Sequence, residues 1–281
     1  MACKVSVLLP VYNTKEEHLR ATIESILNQT FTNFEVLIIN DGSTDDNVEK
    51  VVLSYNDERI KYYKQENQGI AVTRNKLMDI AEGEYLALCD HDDISLPKRF
   101  EKQVKFLDEN PQAGGVSGWY KIFGIKSEIV KFIYNPKLLD FYRSCCFPQP
   151  CAMLRKEFFD KYNLRYEKEY CPADDYELWS RAIRHFELYN LQEVMIDYRW
   201  HSNNESSVNK QKTWASTIKT MNNILNFLES DEKRRKKLEN FLNEPNKFYQ
   251  KIFAVKKEWY KGTKWKKIFF LGFKIPVCKC K

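Results

Sequence analysis

The chain has 281 residues, of which 43% are hydrophobic and 14% aromatic, enough for one large α/β domain and a smaller appendage. A mean hydropathy of −0.58, with no apolar run near twenty residues, excludes a membrane-spanning helix. Residues 231–281 hold sixteen Lys/Arg against five Asp/Glu, a net charge of +11, whereas the whole chain carries +6 and residues 1–230 therefore carry −5. An acidic body with a basic tail predicts that the tail has a negatively charged partner.

The eight cysteines and the first residues of the chain indicate in which cellular compartment the protein is expected. No cysteines form a C-x-x-C pair, and none is matched by histidines at zinc-finger spacing. The apolar run at residues 5–9 is too short for a signal peptide. We therefore expect reduced thiols in a cytoplasmic protein, while a disulfide or metal among the cysteines of residues 145–171 stays open.

The first hundred residues alternate apolar β-rich runs with helical patterns. Strands are predicted at residues 4–9, 34–39, 60–64 and 84–89, the first ending at Pro10. Helices are predicted after Pro10, at about residues 45–55, at 70–81 and from Pro97. This alternation predicts a parallel sheet with helices on both faces, so the loops at residues 10–14, 40–45, 67–74 and 90–93 should converge on one crevice at the carboxyl ends of the strands.

The alternation weakens after Leu107. A strand is predicted at residues 115–120, then an irregular stretch to about 172, a helix at 174–186 and a strand at 194–200 ending in His201. From Trp214 onward the chain looks helical and increasingly basic, with a break at Pro245.

The run Asp90-His91-Asp92-Asp93 directly follows a predicted buried strand. Three carboxylates within four residues repel one another unless a cation lies among them. A hard divalent ion, Mn²⁺ or Mg²⁺, prefers carboxylate and phosphate oxygens. A solvated turn with Asp93 or Ser95 capping the next helix is the simpler alternative, and it explains one acid rather than the cluster.

Five motifs in this order resemble family 2 glycosyltransferases with the GT-A fold. They are residues 5–13, 40–45, 67–69 with Arg74-Asn75, 90–93 and 174–179, and the resemblance covers about residues 3–204. It implies an inverting transfer of a sugar from a nucleotide donor. The expected architecture is a GT-A, Rossmann-like, mostly parallel α/β sheet flanked by helices in residues 1–210, with a nucleotide-sugar half at about 1–110 and an acceptor half at about 111–210. Residues 211–281 would form a helical, basic extension.

The resemblance assigns a donor pocket to the first two loops. Pro10, Val11 and Asn13 would line the nucleoside, and Asp41 would accept a hydrogen bond from the base, usually uracil. Asn40-Asp41-Gly42 is also a favourable turn sequence by itself, and the two roles are compatible.

Further roles follow for the charged residues of the later motifs. Arg74 would pair with the nucleotide or diphosphate, although a helical Arg is usually a solvated charge. Asp90 would contact the ribose or the metal, and Asp92 would bind the metal directly. His201 would lie near the metal or diphosphate, although a lone histidine is more often structural. His18 and His185 are expected at the surface.

Asp174 and Asp175 open a predicted helix. Asp174, with Glu177 three residues on, is typical of a helix cap and is expected to serve as one. Asp175 has no capping duty, and by resemblance it is the general base that deprotonates the acceptor hydroxyl. The family often has Glu-Asp here, and this chain keeps the second position.

The basic tail interleaves lysines with Trp, Phe and Leu, which is typical of an interfacial membrane segment. A solvated helical face packed on the domain is the alternative, and nucleic acid is not expected because no recognition motif accompanies the charge.

The motifs and the tail together lead to one hypothesis for the whole protein. It is a hexosyl- or N-acetylhexosaminyl-transferase that uses a UDP-sugar and a glycan or lipid-linked acceptor in surface polysaccharide synthesis. The protein would be cytoplasmic and peripheral on the inner face of the membrane.

Two other functions remain open from the sequence. A sugar nucleotidyltransferase would need a Gly/Arg/Lys-rich first loop, which residues 10–13 lack. A catalytically inactive nucleotide-sugar-binding module anchored by its tail is disfavoured by intact Asp92 and Asp175. Acceptor choice is expected to lie in residues 121–171.

Overall fold

A computed structural model of the chain describes residues 3–201 and 208–240, together with the backbone of residues 241–243, 253–260, 263–270 and 273–279. The chain divides into two compact units, residues 1–227 and 228–281.

The first unit is built from nine strands and eight helices within its described residues. The strands are β1 (Val5–Val11), β2 (Phe34–Asp41), β3 (Ile60–Gln65), β4 (Tyr85–Leu88), β5 (Ile94–Ser95), β6 (Ala113–Gly124), β7 (Glu128–Val130), β8 (Met153–Arg155) and β9 (Glu187–Trp200). The helices are α1 (Glu16–Leu27), α2 (Asn47–Leu53), α3 (Ile70–Ile80), α4 (Arg99–Glu109), α5 (Leu138–Arg143), α6 (Lys156–Lys161), α7 (Asp174–Ala182) and α8 (Lys210–Glu229), which reaches the second unit.

One mixed sheet runs through this unit in the order β3-β2-β1-β4-β8-β6-β9-β5, with β7 paired to β6. Strands β1 to β4 pair in parallel, β8 is antiparallel to both of its neighbours, and β6 pairs in parallel with β9. Every residue of β1 and β2 is buried, as expected for central strands covered on both faces. The predicted α/β sheet flanked by helices is confirmed.

Strand β1 continues through Pro10 to Val11, so the prediction that Pro10 ends it is wrong. The carbonyl of Leu8 accepts the N–H of Cys89, and Leu8 is the last residue of β1 paired with β4. The main-chain N–H and C=O groups of residues two apart on a strand point to the same neighbouring strand. Those of Pro10 therefore point to the same side as those of Leu8, at a level where β4 has no paired residue left. The missing N–H of Pro10 therefore costs the sheet no hydrogen bond.

The second unit contains α9 (Glu232–Asn243) and a three-stranded antiparallel sheet, β10 (Phe253–Tyr260), β11 (Thr263–Phe270) and β12 (Phe273–Lys279). The helical extension is thus confirmed over α8 and α9, whereas the expectation of helix throughout the tail is wrong for the residues of β10, β11 and β12. These strands are rich in aromatic and β-branched residues, which favour strands over helices. Pro245 lies outside the described residues. Among the helices described, none is both long and apolar enough to cross a bilayer.

Candidate active site

The loops after β1 and β2 are tied together by Asn13. Its Oδ1 accepts hydrogen bonds from the backbone N–H of Thr44 (2.8 Å) and the Thr44 hydroxyl (3.1 Å), and its own N–H donates to Ser43 Oγ (3.0 Å). Asn13 adopts φ +48°, a conformation that Asn tolerates better than most residues. Pro10 and Val11 are buried just before this loop, so the three predicted nucleoside-pocket residues lie at one strand end.

Asp41, the last residue of β2, holds the loop that precedes α3. Its buried carboxylate accepts hydrogen bonds from Gln65 Nε2 (2.7 Å) and from the backbone N–H groups of Gln68 (2.9 Å) and Gly69 (2.9 Å). Gly42 follows with φ +73°, and a Cβ there would lie 2.6 Å from the nitrogen of Asn67. The carboxylate and the glycine together fix the close approach of the two loops.

Arg74 bridges two motifs that are far apart in the chain. From α3, its Nη2 donates to Asp90 Oδ1 (3.1 Å) and its Nη1 donates to Asp174 Oδ2 (3.2 Å). Burial by itself disfavours the guanidinium charge, but Asp174 and Asp90 outweigh it and raise the pKa of Arg74 above its ordinary value. Arg74 therefore stays charged and joins the acidic loop to the start of α7.

The acidic loop meets the end of β9. His201 Nε2 lies 2.9 Å from Asp92 Oδ2, and Arg199 Nε donates to the carbonyl of Asp92 (2.9 Å). Asp93 is buried, and its Oδ1 accepts the backbone N–H of Arg199 (2.8 Å). Burial, with the nearby charges of Asp92 and Asp90, raises the pKa of Asp93 well above its usual value. Asp93 thus holds the loop against β9.

Asp92 and His201 offer a carboxylate oxygen and an imidazole nitrogen side by side, a donor set that suits Mn²⁺ and also Mg²⁺ through its oxygen. Across the described residues, no three His, Cys, Asp or Glu side chains are gathered closely enough to enclose a metal. The two side chains fit an open site whose other positions are left to ligand oxygens and water.

The carboxylates at the start of α7 differ in surroundings. Asp174 is the first residue of α7, and Ala173 precedes it as the cap position, so the prediction that Asp174 caps this helix is wrong. Its buried carboxylate instead pairs with Arg74, since a buried charge needs a partner. Burial and the charge of Asp174 raise the pKa of Asp175 to about 6, against the opposing effect of Arg74. A base poised near neutral pH is chemically suited to deprotonate a hydroxyl.

Three other residues at the site had no predicted role. Tyr166 is buried with its ring centroid 5.4 Å from the Arg74 guanidinium, and Gln149 lies against both side chains. His18, expected at the surface, is partly buried and stacks on His201 with ring centroids 6.0 Å apart. Tyr166 and Gln149 fall in the irregular stretch, where no periodicity marks a residue that faces the site.

Comparisons with known proteins identify the family of the chain. The model of the family described as glycosyl transferase family 2 matches residues 6–163. An uncharacterized glycosyltransferase of Methanocaldococcus jannaschii is 32% identical over 229 residues, 77% of this chain and 78% of the relative. TuaG of Bacillus subtilis, named for teichuronic acid biosynthesis, is 31% identical over 221 residues, 75% of this chain and 85% of TuaG.

Solved structures share the fold. S. aureus TarS residues 1–349 in complex with UDP-GlcNAc has a TM-score of 0.68 at 18% identity, covering 79% of this chain and 66% of that one. The mannosyltransferase PcManGT of Pyrobaculum calidifontis, in complex with GDP-Man and Mn²⁺, has a TM-score of 0.59 at 17% identity, covering 77% of this chain and 64% of that one. With a matching family model over more than half of its length and relatives spanning three quarters of it, the chain belongs to glycosyl transferase family 2.

Proposed function

We propose that the protein is an inverting, metal-dependent glycosyltransferase that moves a sugar from a nucleotide donor, in the first instance a UDP-sugar, to a hydroxyl of a glycan or lipid-linked acceptor. The observation that carries this proposal is the bridge from Asp90 through Arg74 to Asp174. It sets the acidic loop, suited to a cation and a diphosphate, beside a carboxylate suited to act as a base.

The donor's nucleoside would lie against Pro10, Val11, Asn13 and Asp41. Oδ1 of Asp41 already accepts two N–H donors, whereas Oδ2 accepts one. A carboxylate oxygen accepts about two hydrogen bonds, so Oδ2 retains room for the imide N–H of uracil. Arg74 and Asp90 would meet the ribose and diphosphate at the mouth of the same crevice.

Asp92 and His201 would hold the divalent cation, which when bound compensates the negative charge of the leaving nucleoside diphosphate. The chain's part is to keep these two ligands adjacent and to orient them. Arg199 does so by donating to the Asp92 carbonyl, and Asp93 does so by accepting the Arg199 N–H. These contacts fix the loop before any ligand arrives.

Asp175 would take the proton of the acceptor hydroxyl as the acceptor oxygen attacks the sugar from the face opposite the diphosphate. Attack from that face inverts the anomeric carbon. With a pKa of about 6, Asp175 is ionised at neutral pH and is a stronger base than an ordinary aspartate. Because donor and acceptor must be aligned, the relative position of the acidic loop and α7 should contribute much of the rate.

Related proteins support the substrate class. TarS has been solved with UDP-GlcNAc and PcManGT with GDP-Man, so a hexosyl or N-acetylhexosaminyl donor on either nucleotide fits this fold. The name of TuaG refers to teichuronic acid biosynthesis, which favours an acceptor in surface polysaccharide synthesis.

The test is a screen of UDP- and GDP-sugars with Mn²⁺, measuring nucleotide release and thermal stabilisation for the wild type and Asp175→Asn. We expect one donor to stabilise both proteins and to be consumed only by the wild type. Stabilisation without release under any acceptor mixture would favour the inactive binding module. Pyrophosphate release from UTP and a sugar 1-phosphate would favour the nucleotidyltransferase.

A second proposal concerns the extension of residues 211–281. We propose that residues 231–281 bind an anionic membrane surface, which would make the protein peripheral on the inner face and bring it to lipid-linked acceptors. Lys233, Arg235, Lys236 and Lys237 are exposed on α9. Clustered lysines and arginines gain about 1 kcal/mol each near such a surface.

Flotation with phosphatidylglycerol vesicles tests this, using the full chain and a variant with those four residues changed to Gln. We expect the variant to lose flotation and the wild type to lose it at high salt. Equal flotation of both proteins would contradict the proposal.

A further inference from the structure

Asn75 and Tyr166 pair reciprocally across 91 residues of chain. Asn75 Nδ2 donates to the carbonyl of Tyr166 (2.9 Å), and the N–H of Tyr166 donates to Asn75 Oδ1 (2.8 Å). One side-chain amide thus satisfies both main-chain groups of one residue. Asp lacks the donor and Ala lacks both groups, so the contact is specific to the carboxamide.

The segment between α6 and α7 depends on this contact. Within residues 162–173, the only regular structure is the 3₁₀ turn Lys168–Tyr170. Main-chain groups outside helices and strands need partners from side chains or water when they are partly buried. Asn75 supplies such partners from α3 at Tyr166, the residue whose ring meets Arg74, while Asp79 of α3 accepts from Arg165 Nε (3.0 Å) just before it.

Tyr166 in turn supports Arg74. The tyrosine ring lies under the guanidinium, 5.4 Å from its centroid. The Gln149 amide fits its surroundings when its oxygen faces Arg74: it then accepts from Arg74 Nε (2.8 Å) while its nitrogen donates to the Tyr166 hydroxyl (2.9 Å). The Tyr166 ring thus packs against one face of the guanidinium, and the Gln149 oxygen accepts from its Nε. The two terminal nitrogens are left to donate to Asp90 and Asp174.

We propose that Asn75 is a positioning residue for the transfer reaction: by pinning Tyr166 it holds Arg74 in the pose that sets the base-bearing start of α7 relative to the acidic loop. The inference rests on the proposed function for its kinetic consequences. Its structural part, that the surroundings of Asp175 depend on Asn75, holds whether or not the proposed function is right.

The charges around Asp175 make this dependence measurable. Burial, followed by the charges of Asp174 and Asp90, raises the pKa of the Asp175 carboxyl, and Arg74 lowers it. The thiol of Cys145 and the phenol of Tyr166 also lie near this carboxylate. When Arg74 loses its support, its mean distance from Asp175 grows and its lowering effect weakens. Loss of the Asn75 amide should therefore raise the pKa of Asp175 further.

The experiment compares Asn75→Ala with Asn110→Ala in the full chain. Alanine suits the helical position of residue 75, adds no charge beside Asp175, and should leave the chain folded. Asn110 is a matched control, because it is also partly buried and its Nδ2 donates to a main-chain oxygen, that of Phe106 (2.8 Å), at the end of α4.

The first readout is the pKa of the Asp175 carboxyl, followed by carbon-detected NMR titration and assigned with Asp175→Asn. We expect Asn75→Ala to raise it by about half a unit or more, and Asn110→Ala to leave it unchanged. An unchanged value in Asn75→Ala would overturn the proposal, whether or not the protein transfers sugar.

The second readout is kinetic, with any donor that the wild type uses. We expect Asn75→Ala to lower kcat about tenfold while the nucleotide Kd stays within about twofold, because only the alignment of the base is disturbed. A parallel loss of nucleotide binding, or a lower Tm with unchanged kcat as in a purely structural role, would also overturn it. A wild type with no transferase activity would refute the proposed function and leave the titration as the deciding result.

Discussion

His201 Nε2 and Asp92 Oδ2 lie 2.9 Å apart although 109 residues separate them in the chain. The pairing of β5 with β9 explains this contact, since Ile94 pairs with Asp197 just beyond the acidic loop. The short strand β5 therefore brings the end of β9 back to the acidic loop, and it sets the distance between two side chains suited to one cation.

The first prediction concerns this pair. His201→Ala should weaken Mn²⁺ binding by about a hundredfold, because one of the two protein ligands is lost. The measurement is the Mn²⁺ dependence of the melting temperature, which needs no knowledge of the donor. Asp92→Asn should have a similar or larger effect, since it also removes the charge.

His185→Ala is the matched control for the histidine change. His185 stacks on Tyr162, with ring centroids 4.2 Å apart, at a place with no contact to the acidic loop among the described contacts. Its loss should leave the Mn²⁺ response unchanged. If His201→Ala also responds like the wild type, the assignment of His201 to the metal is wrong.

The second prediction is the pH dependence of transfer. Asp175 must be ionised to accept a proton, and burial together with Asp174 raises its pKa to about 6. The rate should therefore fall about tenfold per pH unit below pH 6 and be level above it. Asp175→Asn should lower kcat by about 10³-fold while donor binding persists. A profile that stays level down to pH 5, or full turnover by the variant, would exclude Asp175 as the base.

The third prediction follows from the same carboxyl by linkage. Its pKa is about 6 in the folded protein against an ordinary value of 3.8, so the folded state holds this proton more tightly than the unfolded state does. The resulting destabilisation is fully present above pH 6 and disappears as the pH falls towards 4. Asp175→Asn removes it and should raise the free energy of unfolding at pH 8 by on the order of 2 kcal/mol.

Urea unfolding between pH 4.5 and pH 8 measures this gain, which should shrink as the pH falls. Asp57→Asn is the control, because Asp57 is also partly buried but pairs with Arg59 (2.7 Å), which lowers the pKa of its carboxyl, so its loss should not raise the free energy of unfolding at pH 8. A gain that is constant across the pH range would mean that the substitution acts through packing rather than through the charge of Asp175.

Much of the donor half could be predicted from the sequence. Buried parallel strands give continuous apolar runs, and loops at their carboxyl ends must meet, so the sequence predicts Asn13, Asp41 and the acidic loop at one edge of the sheet, where the structure has them. The prediction that β1 ends at Pro10 is wrong because a hydrophobic pattern does not show on which side of a strand the main-chain groups lack a hydrogen-bonding partner.

The rest depended on contacts that have no local signature. Asp174 was expected to cap α7 because Asp before a helix usually does, but a buried Arg74 one hundred residues away competes for its carboxylate. Gln149 and Tyr166 reach the site from irregular backbone, whose course is set by long-range pairs such as the one with Asn75. Such pairs are visible only in three dimensions.

The fourth prediction uses two glycines that border the Asp41 carboxylate. Gly42 and Gly69 both have positive φ, +73° and +89°, and Gly69 combines it with ψ 158°, a conformation open almost only to glycine, so alanine is strained at either position by about 1–3 kcal/mol. The two positions differ in the room available for a side chain. A Cβ at Gly42 would lie 2.6 Å from the backbone nitrogen of Asn67, whereas a Cβ at Gly69 would have nothing within 4 Å. The extra cost at Gly42 is a clash with main chain, which cannot rotate away.

Gly69→Ala should therefore lose about 1–3 kcal/mol of stability through backbone strain alone and keep nucleotide binding. Gly42→Ala should lose about 3 kcal/mol or more, and because relief of the clash must push the loop of Asn67 away from Asp41, its nucleotide affinity should fall as well. Urea unfolding and titration with the UDP-sugar measure both effects. Equal losses of nucleotide affinity in the two variants would mean that the close approach of the two loops does not shape the donor pocket.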